Sequence, residues 1–114
     1  MNGLDATFAA LSDPTRRKVI DLLRKRPRPA GQLARAFGLS PPAMSRHLRT
    51  LRKSGLVEED HGGEDARVRV YRLRREAFGE LRGWLDDVEA FWANELDAFK
   101  AHVERTRAKA RASR

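Results

Sequence analysis

Gln32-Leu33-Ala34-Arg35-Ala36-Phe37-Gly38-Leu39-Ser40-Pro41-Pro42-Ala43-Met44-Ser45-Arg46-His47-Leu48-Arg49 is the stretch on which the fold turns. Ala30 to Phe37 reads as a short helix, with Leu33, Ala34 and Phe37 at i, i+1 and i+4. Gly38 supplies the positive φ that commonly ends a helix, Leu39 plugs the core, and Ser40 caps a second helix. That helix starts at Pro41 and runs to about Ser54. Its apolar stripe is Met44, Leu48 and Leu51, spaced 4 and 3, and its opposite side carries Pro42, Ala43, Ser45, Arg46, Arg49, Arg52 and Lys53. Two helices joined by a glycine-bearing turn, the second apolar inside and basic outside, form a helix-turn-helix pattern. An ordinary helical hairpin with a solvated charged face shares that pattern, so the surrounding charge has to discriminate.

Upstream, Leu4, Phe8 and Leu11 recur at helical spacing and predict a short first helix before a break at Ser12-Asp13-Pro14. Asp13 then Pro14 reads as an N-cap with proline at the first helical position. The helix it starts runs to about Arg24, with Val19, Ile20, Leu22 and Leu23 on its buried side. Lys25-Arg26-Pro27-Arg28-Pro29 ends it as a stiff basic connector, each proline biasing its predecessor out of the α region. Downstream, Gly55 stops the basic helix, and Leu56-Val57 opens a strand ending near His61. Gly62-Gly63-Glu64-Asp65 is a turn, and a second strand covers Ala66 to Leu73. Arg67 and Arg69 project to one side of it, while Val70-Tyr71 breaks the alternation and leaves the core face of the far end open. A two-stranded hairpin is marginal alone. Packed on helices and tipped with arginines, it reads as a wing reaching for DNA backbone or minor groove. The expected fold is mainly α with a small β-hairpin wing.

From Glu76 to about residue 104 one helical pattern persists: Phe78, Leu81, Trp84, Leu85, Val88, Phe91, Trp92, Leu96, Phe99, Val103. Some 30 residues rising about 1.5 Å each give roughly 45 Å, beyond the ~30 Å width of a small domain. A monomer this small cannot cover the stripe, so it implies a partner, and a second copy related by a two-fold axis is the commonest solution. The competing readings are a stripe folded back onto its own domain and a cofactor pocket between the aromatics. Residues 105–114 form a basic tail, leaving one domain over residues 1–104.

The charge discriminates. The chain has 114 residues and a net charge of +8. Residues 1–23 are neutral, residues 24–75 carry a net +9, residues 76–104 a net −6, and the last ten add five bases. So basic a middle block wants a polyanion, and the acidic block beside it should not touch one. With no cysteine there is no disulfide framework, thiolate zinc site or thiol chemistry. No apolar run approaches a membrane span and no charged n-region followed by an apolar core opens the chain, so the cytoplasm is the expected compartment. An enzyme is not expected: there is no paired acid and base, no nucleophile beside a histidine and no phosphate-cradling glycine loop.

Leu11-Ser12-Asp13-Pro14-Thr15-Arg16-Arg17, Gln32-Leu33-Ala34, Leu39-Ser40-Pro41-Pro42-Ala43-Met44-Ser45-Arg46-His47-Leu48, Leu51 and Gly55-Leu56-Val57 together resemble the ArsR/SmtB-type winged helix-turn-helix repressors. The resemblance covers about residues 4–104, and the order of the motifs is what makes it specific. It implies a dimeric bacterial repressor, with one recognition helix per subunit (about residues 41–54), a wing (about 56–73) and a long dimerisation helix (about 76–104). Leu4 and Phe8 of the first helix would join Leu81, Trp84, Leu85, Val88, Phe91, Trp92, Leu96 and Phe99 in the interface. The Asp-Pro-Thr-Arg-Arg start and the Phe91-Trp92 region look more like the metal-independent, autorepressor-like members than the metal sensors.

The resemblance implies that a metal sensor would carry cysteines on the third helix or His and Asp pairs on the last, and metal sensing is disfavoured on that test. The third helix has no Cys, His, Asp or Glu, and the long helix has one histidine, His102, without His-x2-His spacing. A cross-dimer site of His102 with a carboxylate is the residual alternative, and no cofactor is expected. On duplex DNA, two recognition helices related by a dyad would enter major grooves about 34 Å apart and require an inverted-repeat operator. Arg46 and Ser45 are the candidates for base edges, Arg46 toward guanine. Pro42 and Ala43 either read a thymine methyl or let the backbone approach closely. Arg49, Arg16, Arg17, Arg67 and Arg69 are candidates for phosphate. His47 has two readings, phosphate contact or packing beneath the helix, and His61 is expected at the exposed wing turn. Two other classes stay open: a ligand-responsive sensor with a small apolar molecule beside Trp84, Phe91 or Trp92, and a winged-helix module that binds a protein.

Overall fold

A computed structural model describes residues 3–62 and 65–112, with backbone alone at 62 and 65–67. The centre of the expected turn, Gly63-Glu64, and the side chain of Arg67 lie outside the described residues. The elements are α1 (Gly3–Leu11), α2 (Pro14–Leu23), β1 (Arg28–Pro29), α3 (Ala30–Ala36), α4 (Pro41–Lys53), β2 (Val57–Gly62), β3 (Asp65–Leu73) and α5 (Arg75–Ala112). The chain divides into two compact units, Met1–Leu81 and Arg82–Arg114.

In the first unit the helix ends follow local chemistry. The Asp13 carboxylate accepts the Arg16 backbone N–H at 3.1 Å, and the Ser40 hydroxyl accepts that of Ala43 at 3.3 Å, each ahead of a proline in the first turn. Gly38 (φ 63°) and Gly55 (φ 81°) stand just past α3 and α4 in the left-handed region. After each glycine a leucine returns its N–H to the helix, Leu39 to the Ala34 carbonyl at 3.0 Å and Leu56 to that of Leu51 at 3.1 Å. That is the paired C-terminal closure a glycine makes possible, and it drives both leucines inward.

Met44, Leu48 and Leu51 are buried, as their spacing predicts, beside Val19, Leu23, Leu33, Ala34, Leu56 and Val57. The first helix differs from its predicted stripe. Thr7 and Ala10 are its buried residues, Leu4 and Leu11 are half-buried, and Phe8 is 42% exposed. Thr7 tolerates burial because its hydroxyl donates to the Gly3 carbonyl at 3.0 Å.

The sheet has three antiparallel strands in the order β1-β3-β2, so the hairpin is not alone. The segment expected to be only a connector contributes β1, pairing Arg28 with Tyr71 and Pro29 with Val70. Two residues carry no alternation to read, and Pro29, which has no N–H to donate, is tolerated because β1 is an edge. The register settles the open face of β3. Val57 lies opposite Leu73, Glu59 opposite Tyr71 and His61 opposite Arg69, so these six share one face. Tyr71 is buried there and Leu73 packs against the core. Val70 and Arg72 belong to the other face, where Arg72 bridges Glu58 (2.6 Å) and Asp60 (3.1 Å).

The second unit is helical from Arg82 to Ala112, so the helix continues through most of the basic tail. Phe91, Trp92, Leu96 and Phe99 are each 60–67% exposed, and Trp84 and Leu85 are exposed as well. Val88 is half-buried, as is Leu81 at the end of the first unit.

Candidate nucleic-acid interface

The buried stripe of α4 fixes which side chains it offers to solvent. Pro42, Ser45, Arg46 and Arg49 are exposed, and Ala43 and His47 are half-buried at the borders. Among the described residues, no hydrogen bond or ion pair engages the guanidinium of Arg46 or Arg49. Two unpaired guanidinium groups and a hydroxyl on one face of an anchored helix can bond to base edges and phosphates without first breaking an internal contact.

Two other expected phosphate contacts, Arg16 and Arg17, also bond to the end of α1. The Arg16 guanidinium lies over the C-terminal end of α1, with Nε donating to the Ala10 carbonyl at 2.6 Å and Nη2 to that of Ala9 at 3.2 Å. Its Nη1 is 3.4 Å from His47 Nδ1. Arg17 Nη1 donates to the Leu11 carbonyl at 2.7 Å, and its side chain remains exposed. Helices leave their last carbonyls without intrahelical partners, and these two arginines supply them. The Asp13 carboxyl is held below its ordinary 3.8, first by the hydrogen bond from the Arg16 backbone, then by that from Thr15 and by the Arg16 charge, against partial desolvation.

The wing is tied to α4 through a residue that the sequence reading missed. Glu59, whose side chain is only 12% exposed, accepts from Arg52 Nη1 at 2.6 Å and from the Tyr71 hydroxyl at 3.0 Å through Oε2. Its Oε1 pairs with Arg69 Nη1 at 2.9 Å. Burial alone would raise the Glu59 pKa, but the Tyr71 hydrogen bond and the Arg69 and Arg52 charges outweigh it and hold it below the ordinary 4.5. Burial, then the same carboxylate, raises the Tyr71 phenol. Arg69 is therefore oriented, lining a cleft with Ser45, Met44 and Tyr71 between the wing and α4. Only the hairpin register reveals Glu59 as the partner of Tyr71; in sequence it is one acid in Glu58-Glu59-Asp60.

Among the described residues, no group of three or more His, Cys, Asp or Glu is placed to hold a metal ion. No helix there is long and apolar enough to cross a membrane.

Comparison with known proteins agrees with this geometry. The family described as "Bacterial regulatory protein, arsR family" matches residues 13–59, from the Asp13 cap through α4 to Glu59. The HTH-type transcriptional regulator Rv2034 of Mycobacterium tuberculosis is 35% identical over 100 residues, 88% of each chain. The transcriptional repressor SdpR of Bacillus subtilis is 38% identical over 61 residues, 54% of this chain and 68% of that one. The solved structure of an ArsR-like transcriptional regulator from Rhodococcus sp. RHA1 superposes with a TM-score of 0.75 at 31% identity, over 90% of this chain and 91% of that one. These relatives are regulators, not enzymes. With its two capped helices, paired wing and basic α4 face, the chain belongs to the ArsR family, as a DNA-binding transcriptional regulator of winged helix-turn-helix fold.

Proposed function

We propose that this regulator is a homodimeric, cytoplasmic repressor that reads an inverted-repeat operator and needs no metal. The observation that carries the reading is the α4 face, where Ser45, Arg46 and Arg49 are exposed and both guanidinium groups have no internal partner among the described residues. Arg46 and Ser45 read base edges. Arg49 and Arg17 contact phosphate, and Arg69, oriented by Glu59, adds a wing contact. The exposed stripe of Trp84, Phe91, Trp92, Leu96 and Phe99 supports a second copy, because an apolar surface of that extent is costly to leave in water. Two copies place two reading helices about 34 Å apart, and repression follows by excluding polymerase where the operator overlaps a promoter. The name of the SdpR relative supports the repressor role.

The test is fluorescence anisotropy with the duplex upstream of the protein's own gene, against a scrambled duplex of equal composition, across a salt series and with and without chelator. A preference of about 10³ or more for the native duplex, unchanged by chelator, is expected. Equal and steeply salt-dependent binding to both duplexes would leave a basic winged helix whose target lies elsewhere.

A further inference from the structure

We propose that Arg16 is a positioning residue for DNA binding, holding the His47 imidazole in the tautomer that carries its proton on Nε2 and so donates to the DNA backbone. The inference rests on the reading of α4 as the helix that docks on DNA. A guanidinium has donors and no acceptor, so where Arg16 Nη1 donates across the 3.4 Å to His47 Nδ1, that nitrogen presents its lone pair. In the neutral ring the proton then sits on Nε2.

Arg16 is well placed to impose that choice, because its geometry is set before it meets His47. Nε is on the Ala10 carbonyl, Nη2 on that of Ala9, and its backbone N–H on the Asp13 carboxylate. A planar fork anchored on two edges has little rotamer freedom left to lose. His47 stands between exposed Arg46 and buried Leu48, on the border of the reading face and half-buried itself. An imidazole clamped through Nδ1 at that border can give its Nε2–H to a phosphate oxygen, a contact that sets register without reading a base. The two readings of His47 from sequence, phosphate contact and packing beneath the helix, thereby become one: Nδ1 packs and Nε2 contacts. The same clamp joins the carbonyl end of α1 to the reading helix through a single side chain.

The experiment uses the full chain and a duplex that it selects from a random-sequence pool. Two-bond ¹⁵N–¹H correlation spectra of the free protein are expected to show His47 in the Nε2–H form, and Arg16→Lys, which keeps one cation but loses the second branch of the fork, is expected to mix in the Nδ1–H form. Gln places an N–H where Nε2 stands, whereas Asn places its amide at Nδ1. His47→Gln should therefore bind the selected duplex nearly as the unaltered chain does, and His47→Asn about tenfold more weakly, the change worth one charge-assisted hydrogen bond. Both His47 variants leave Arg16 on the α1 carbonyls, so they remain informative if Arg16→Lys unfolds. An Nδ1–H tautomer in the unaltered protein, or equal binding by His47→Gln and His47→Asn, overturns the proposal. Failure to select any duplex overturns the functional reading itself.

Discussion

Arg52 Nη1 of α4 lies 2.6 Å from Glu59 Oε2 on the wing, joining the two elements expected to meet DNA. The same oxygen accepts the Tyr71 hydroxyl and the other takes Arg69, so one carboxylate orients three side chains from α4 and β3. Arg52 and Arg69 stay 48% and 59% exposed, and much of their pairing energy is lost to solvent. The tie works chiefly by orientation.

Glu59→Gln keeps the volume and one acceptor but removes the charge. Urea unfolding should show a loss of about 1–2 kcal/mol, the worth of hydrogen bonds to a charged group only partly replaced. A loss of under a few tenths would mean that the wing is held by the core face of β3 alone.

Acid should act through the same carboxylate. Glu59 and Asp13 have folded pKa values below their ordinary 4.5 and 3.8, so the unfolded chain binds the proton more readily. Their contribution is complete above those ordinary values and is lost as pH falls through the folded ones. The melting temperature is expected to hold from about pH 6 down to about pH 5 and to drop below that. Glu59→Gln should flatten the drop, and an identical acid limb in the variant would place the proton elsewhere.

On the reading face, Arg46→Ala should cost about 1–3 kcal/mol on the preferred duplex and relax its base preference. Arg49→Ala should weaken all duplexes alike and reduce the salt slope by about one. Anisotropy titrations on matched and mismatched duplexes separate the two, and loss of affinity without loss of preference in both variants would move the reading residues off this face.

Leu48 is 1% exposed at the centre of the α4 stripe. Leu48→Ala should cost about 2–5 kcal/mol by chemical denaturation, from lost burial and the cavity left behind. A cost below ~1 kcal/mol would mean that α4 is not packed through this residue.

For assembly, Trp92→Asp should shift sedimentation from a dimer to a 13.0 kDa species, because a charge then sits in the middle of the apolar stripe. An unchanged particle mass would remove this stripe from the interface.

The helices, the caps and glycine stops that bound α2, α3 and α4, and the buried side of α4 were legible from the residues alone, whereas the far end of α5 was not. Those signals are local: Asp13 and Ser40 bond within three residues, Gly38 and Gly55 answer a backbone requirement, and a stripe at spacings of 4 and 3 has only one side to bury. Packing in three dimensions set whatever depends on partners distant in the chain. β1 exists only because β3 lies beside it, and Tyr71 is a core residue only in the register that pairs it with Glu59. Glu59 becomes the hub of the wing because that register places it opposite Tyr71 and the fold brings Arg52 to it. Arg16 and Arg46 read alike as surface arginines. A charge pattern records how many cations a surface has but not which internal carbonyl each can reach, so only the packed α1–α2 corner turns Arg16 inward and leaves Arg46 to solvent.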